Sequence, residues 1–142
     1  MGKIRAPFNL QGWIKENQHL LKPPVGNKNL YTESEDYIVM IVGGPNSRKD
    51  YHYNETEELF YQLKGSILVK TQQNGKKVEV KINEGEMFLL PPKIPHSPIR
   101  PAGSVGLVIE RKREPHHKDG LMWFSDKENV LLYEEYFHLT NI

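Results

Sequence analysis

Short runs of β-favouring residues recur along this chain, and each is closed within a few positions by glycine, proline or asparagine. Tyr37–Val42 ends at Gly43-Gly44-Pro45, and Glu58–Leu63 and Ser66–Gln72 flank a turn at Lys64-Gly65. Asn74-Gly75 then separates Ser66–Gln72 from Val78–Ile82. A two-residue Asn-Gly loop between such runs is the strongest local signal of a β-hairpin, because both residues tolerate positive φ. Met87–Leu90, Val105–Glu110, Leu121–Phe124 and Val130–Tyr136 complete the series, with a proline-rich arm from Pro91 to Pro101. Strands this short and this frequent predict an all-β sandwich or barrel. Eleven glycines and ten prolines, spread along the chain, supply the turns it needs. One helix is predicted ahead of the strands. Asn9 is its N-cap, Leu10, Trp13, Ile14, Asn17 and Leu21 follow at helical spacing, and Pro23-Pro24 stops it. This helix is expected to pack against an end of the barrel.

Length and charge narrow the function. At 142 residues the chain is read as one domain, 1–142. Lys plus Arg is 19 and Asp plus Glu is 18, a net charge of +1 with no basic block, so nucleic acid is not an expected partner. No apolar run is long enough for a membrane span, and residues 1–10 are too short and polar for a signal peptide. There is no cysteine, hence no disulfide framework and no thiolate metal site. A cytoplasmic location is the expectation.

The chemistry lies in two stretches. His52 and Glu58 stand six apart in a segment that ends at Gly65, and His96 closes a segment running from Gly85 through Pro91. Two imidazoles and one carboxylate form the ligand set that holds ferrous iron on one face and leaves the other open. Side chains two apart on a strand share a face. On that rule Arg48, Asp50, His52 and Asn54 point one way. Glu58, Phe60 and Gln62 share a face, as do His96, Pro98 and Arg100, and Gly106, Val108 and Glu110. If the three ligands point inward, the cavity also holds two arginines, two further carboxylates and a phenyl ring. That is a poor hydrophobic core and a good site for an anionic substrate. Arg100 and Glu110 taken alone are as readily a structural ion pair. A lone histidine beside a strand is ordinarily a surface residue; three ligand types at matched spacings reverse that balance. Glu58 is chosen over Glu55 and Glu57 because it alone fits both His52 and Gly65. His19, His116, His117 and His138 fit no ligand pattern. Trp13, Trp123 and Tyr133 read as core or interface aromatics.

Both stretches resemble the two motifs of the cupin superfamily, whose fold is a jelly-roll barrel (the double-stranded β-helix). Where the usual first motif has a second histidine, this chain has Asn54, which lowers the ligand count from four to three. Longer strings narrow the resemblance: Pro24-Val25-Gly26-Asn27, Arg48-Lys49-Asp50-Tyr51-His52, Glu57 to Gly65, Phe88 to Pro92, His96 to Pro101, Val108 to Arg111, and Asp119-Gly120. From about residue 8 to 124 the chain resembles the 3-hydroxyanthranilate 3,4-dioxygenase family. The remaining 125–142 reads as a C-terminal strand segment.

The resemblance implies one Fe(II) per chain, held by His52, Glu58 and His96. It implies 3-hydroxyanthranilate and O2 as substrates, and 2-amino-3-carboxymuconate semialdehyde, the quinolinate precursor on the route from tryptophan to NAD, as product. It assigns Arg100 to the substrate carboxylate, Glu110 to the phenolic proton, and Arg48, with Asp50 in support, to oxygen. Val25, Asn27, Phe60 and Pro98 become pocket walls, and the assembly is expected to be a homodimer. Bacterial members carry a second, rubredoxin-like iron site built from two Cys-x-x-Cys pairs. Ser125 and Glu128 stand at the first pair and the second falls beyond Ile142, so no second metal is expected. Two alternatives share the motif: a metal cupin acting on another substrate, and a non-catalytic binder of a small aromatic acid. Paired cavity arginines with Glu110 argue against the first, and an intact ligand triad argues against the second.

Overall fold

The computed structural model describes residues 4–139 and contains two antiparallel sheets preceded by one short helix. Helix α1 spans Leu10–Glu16, and a single 3-10 turn follows at Gln18–Leu20. Asn9 caps α1 as predicted, its side-chain oxygen accepting the Gly12 N–H at 2.7 Å. The helix ends earlier than its apolar spacing suggests. Asn17 terminates it, donating its side-chain amide to the Trp13 carbonyl at 2.8 Å. Asparagine competes with the helical ladder in this way.

The strands are β1 (Asn27–Asn29), β2 (Tyr37–Gly43), β3 (Tyr51–Tyr53), β4 (Glu58–Lys64), β5 (Ile67–Gln73), β6 (Lys76–Ile82), β7 (Met87–Leu90), β8 (His96–Ile99), β9 (Val105–Arg111), β10 (Asp119–Phe124) and β11 (Leu131–Phe137). One sheet has the order β1-β2-β9-β4-β7 and the other β11-β10-β3-β8-β5-β6. The β5–β6 hairpin closes at Asn74-Gly75, with φ of 53° and 76°, and pairs Gln73 with Lys76. Strands β1, β3 and β8 are not marked by the runs of β-favouring residues that mark the others. The first two are three residues long, too short to show alternation. The third carries Pro98, which removes a ladder donor. Pro98 is tolerated because β3 meets β8 only at the His52–His96 pair.

The two sheets face each other across a mixed interior. Phe60, Val108 and Leu90 from the five-stranded sheet meet Ile67, Val69 and Ile82 from the six-stranded sheet in one apolar cluster. Burying such side chains contributes roughly 1.5–3 kcal/mol each. The helix does not cap a barrel end. Ile14 and Leu21 pack with Leu30, Ile41 and Val105, flanked by Val39, Leu63 and Leu107, so α1 and the turn after it lie on the outer face of the five-stranded sheet. The reason is alternation: inward Met40, Val42 and Phe60 leave Val39, Ile41 and Leu63 pointing out, and this apolar outer face needs a cover.

Candidate metal centre

Register brings the ligands together. His52 on β3 lies directly opposite His96 on β8, and Glu58 on β4 lies directly opposite Glu110 on β9. The histidines come from one sheet and the carboxylates from the other, so the cluster sits between the sheets. His52, Glu58 and His96 each offer a ligand atom within 4.8 Å of the others. The His96 Nε2 is 3.3 Å from a Glu58 oxygen. The His96 Nδ1 lies 2.9 Å from the Ile94 carbonyl, an arrangement that requires the proton on Nδ1 and leaves Nε2, once deprotonated, as the nitrogen that can bind a metal. Burial favours the neutral form of Glu58, but the hydrogen bond and charge of His96 outweigh it and hold Glu58 well below the usual carboxylate range. Two imidazoles and an ionised carboxylate converging in a buried pocket fit a divalent first-row metal.

The cluster opens on a cavity of about 550 Å³. Val25, Asn27, Arg48, His52, Glu58, Phe60, His96, Pro98, Arg100 and Glu110 all line it, joined by Met40, Val42 and Val108. Asp50 does not line it. Residues 45–50 lie outside any strand, so two-residue alternation fails there, and Asp50 instead accepts Arg48 Nη2 at 2.8 Å and Nε at 3.2 Å. Gln62 is buried beside Arg100 and donates to the Lys64 carbonyl at 3.0 Å. Asn54 follows β3 and is 3% exposed. Its oxygen serves Thr56, and its amide lies 3.4 Å from Glu58.

The structure separates Arg100 from Glu110. Arg100 is 5% exposed, forms no ion pair with any described residue, and has Nη1 without a hydrogen-bond partner. Burial lowers its pKa to about 10, partly offset by the charge of Glu58. Glu110 pairs instead with Arg113, which also holds Asp119 through Nε at 3.0 Å and Nη2 at 2.8 Å. Glu110 is pushed up to about 8, first by burial and then by Glu58 facing it, against the pull of Arg113. Asp119 is brought to about 2, because His52 and Arg113 outweigh its burial. Arg113 lies between β9 and β10, where no alternation rule reaches, and Asp119-Gly120 appeared in the sequence only as a matching string without a role.

A second group, Glu114, His116 and His117, converges on the surface. The Glu114 N–H donates to His117 Nδ1 at 3.0 Å, which leaves the proton on Nε2 and removes that ring as a ready ligand.

A double-sheet interior with a His/Glu/His cluster at one end defines a cupin-type protein with a candidate metal centre. The fold agrees with solved structures: a cupin-2 domain containing protein from Shewanella frigidimarina superposes with a TM-score of 0.54 at 17% identity, over 70% of this chain and 92% of that one. A Neisseria meningitidis protein gives 0.56 at 17% identity, over 70% and 96%. The chain belongs to the 3-hydroxyanthranilic acid dioxygenase family, whose profile matches residues 3–142. A Xanthomonas campestris pv. campestris relative named 3-hydroxyanthranilate 3,4-dioxygenase is 54% identical over 96% of this chain and 76% of its own length. Relatives of the same name from Neurospora crassa and Xenopus tropicalis are 45% and 48% identical, over 76% and 49% of their own lengths.

Proposed function

We propose that this chain is a ring-cleaving dioxygenase that uses one Fe(II), held by His52, Glu58 and His96, to convert 3-hydroxyanthranilate and O2 to 2-amino-3-carboxymuconate semialdehyde. The observation that carries the reading is Arg100: a buried guanidinium, free of any acid partner among the described residues, in the wall of the cavity that His52, Glu58 and His96 line. An unpaired buried cation is costly, and a carboxylate ligand removes the cost.

Ferrous ion, when bound, supplies the open positions at which the aminophenol and dioxygen meet. The chain supplies the rest. Arg100 pairs with the substrate carboxylate and fixes the ring's orientation. Glu110 takes the phenolic proton, since it lines the same cavity as Arg100 and the ligand cluster. Arg48, held in place by Asp50, offers positive charge beside oxygen. Val25, Asn27, Phe60 and Pro98 exclude water from the ring. Both oxygen atoms enter the product, so no external reductant is required.

Two further assignments go with this reading: a cytoplasmic enzyme, and a homodimer formed through the uncovered part of the five-stranded sheet. Leu59, Tyr61, Met87, Leu107 and Ile109 form an apolar hollow there, beside the area covered by α1 and meeting it at Leu107. No helix among the described residues is long and apolar enough to cross a membrane. The test is anaerobic loading with ferrous ion, then 3-hydroxyanthranilate and air. A rising near-ultraviolet product band is expected. Tight binding of the substrate with no oxygen uptake would favour the alternative, a non-catalytic binder of aromatic acids.

A further inference from the structure

Resting on the reading of Arg100 as the partner of the substrate carboxylate, we propose that Gln62 is a positioning residue that keeps this arginine available: its neutral carboxamide stands behind the guanidinium, where an acid would cancel the charge. Gln62 belongs to β4, on the same face as Glu58 and Phe60, but unlike them it does not line the cavity. It is 1% exposed. In the pairing of β4 with β9, Gln62 lies directly opposite Gly106. A Cβ at Gly106 would meet Gln62 Oε1 at 2.8 Å and Arg100 Nη1 at 3.0 Å, so both polar atoms crowd over one glycine. Nη1 is the buried guanidinium nitrogen without a partner.

The strand itself sets which way the carboxamide faces. Register shifts between Gln62 and Lys64, and the Lys64 carbonyl accepts the Gln62 side-chain N–H at 3.0 Å. The reverse orientation would set oxygen against that carbonyl and NH2 against the guanidinium, acceptor on acceptor and donor on donor. Gln62 therefore offers Arg100 a dipole and no charge. Arg100 feels the attraction of Glu58 and the repulsion of Arg48, and pairs with neither. Glu58 is engaged with His96 in the ligand cluster. A buried cation with a neutral neighbour behind it keeps its attraction for an incoming carboxylate. A cation already paired would exchange one acid for another at little net gain.

The test compares two ligands that differ only in the carboxylate, 3-hydroxyanthranilate and 2-aminophenol. Each is titrated by calorimetry into the iron-loaded full chain under anaerobic conditions. The parent should bind 3-hydroxyanthranilate more tightly; equal affinities overturn the reading of Arg100 itself. Gln62→Glu places an acid behind the fork, kept ionised by the guanidinium. It should weaken 3-hydroxyanthranilate about 10- to 100-fold, the range of one hydrogen bond to a charged group, and leave 2-aminophenol within about twofold. Gln62→Met keeps the length of the side chain and removes the dipole without adding charge. Its loss for 3-hydroxyanthranilate should be smaller, about 2- to 10-fold, the range of a neutral hydrogen bond. A merely structural role would weaken both ligands alike. Equal losses for the two ligands in Gln62→Glu, or no loss for 3-hydroxyanthranilate, overturn the proposal and leave the parent's preference, and with it the reading of Arg100, standing. Should Gln62→Glu not fold by circular dichroism, Gln62→Met decides: a loss confined to 3-hydroxyanthranilate supports the proposal, and no loss or an equal loss overturns it.

Discussion

Arg100 and Glu110 face the same cavity yet are held by different means, and their substitutions should differ in kind. Arg100 has no acid partner, so Arg100→Ala removes substrate affinity while leaving the reacting groups in place. The expected loss is ~2–4 kcal/mol, roughly 30- to 1000-fold in kcat/KM, carried mainly by KM. Glu110→Gln keeps volume and a contact for Arg113 but cannot take a proton. It should lower kcat by about 10²–10⁴-fold with a smaller change in KM. Steady-state kinetics on the two iron-loaded variants separate these outcomes. A Glu110→Gln enzyme with near-normal kcat would leave Glu110 as a partner of Arg113 and nothing more. At this scale the sequence reading was strongest where side chains lie on true strands. His52, Glu58, His96 and Glu110 face the cavity as alternation requires, and Arg100, one residue past β8, continues that face. Alternation does not carry Asp50 to the cavity wall, since it sits in coil and pairs with Arg48, and it says nothing of Arg113 and Asp119, whose contacts depend on a loop crossing between sheets.

The elements show why some of the fold was legible and some was not. Strands β2, β4, β5, β6 and β9 are each seven residues long and carry their own apolar rhythm, and the Asn74-Gly75 turn fixes the register of one hairpin. Strands β1, β3 and β8 are made by pairing rather than by composition, so a pattern read locally misses them. The helix was found with its cap and misplaced in space, because nothing in its own sequence says which face of the sheet lacks a cover. One element-scale prediction concerns β9. A Cβ at Gly106 would stand 2.8 Å from Gln62 Oε1 and 3.0 Å from Arg100 Nη1. Gly106→Ala should therefore leave the sheet intact and shift the Arg100 fork. Since a displacement of about 1 Å can cost up to roughly 100-fold, a rise in KM of about tenfold with a normal circular dichroism spectrum is expected. An unchanged KM would mean that Arg100 does not contact the substrate from this position.

For the whole molecule, the two-sheet arrangement separates stability from chemistry. The apolar cluster around Phe60, Val69 and Val108 holds the sheets together, while the other part of the interior is given over to charged groups. The outer face of the five-stranded sheet is covered by α1 at one side and bare at the other, with Met87 64% and Leu89 53% exposed. The proposed homodimer would bury this exposed apolar surface. Sedimentation should give twice the chain mass, and Met87→Asp should give a folded monomer. A Met87→Asp protein that remains a dimer would place the interface elsewhere. The central claim is that His52, Glu58 and His96 together hold the iron at which the ring is opened. It is tested most directly by measuring iron content and oxygen consumption side by side, in the protein and in His52→Ala, Glu58→Ala and His96→Ala. The account predicts one iron per chain and one O2 consumed per 3-hydroxyanthranilate in the parent, with both lost in each variant. Any of the three retaining iron and oxygen uptake at parental levels would contradict it.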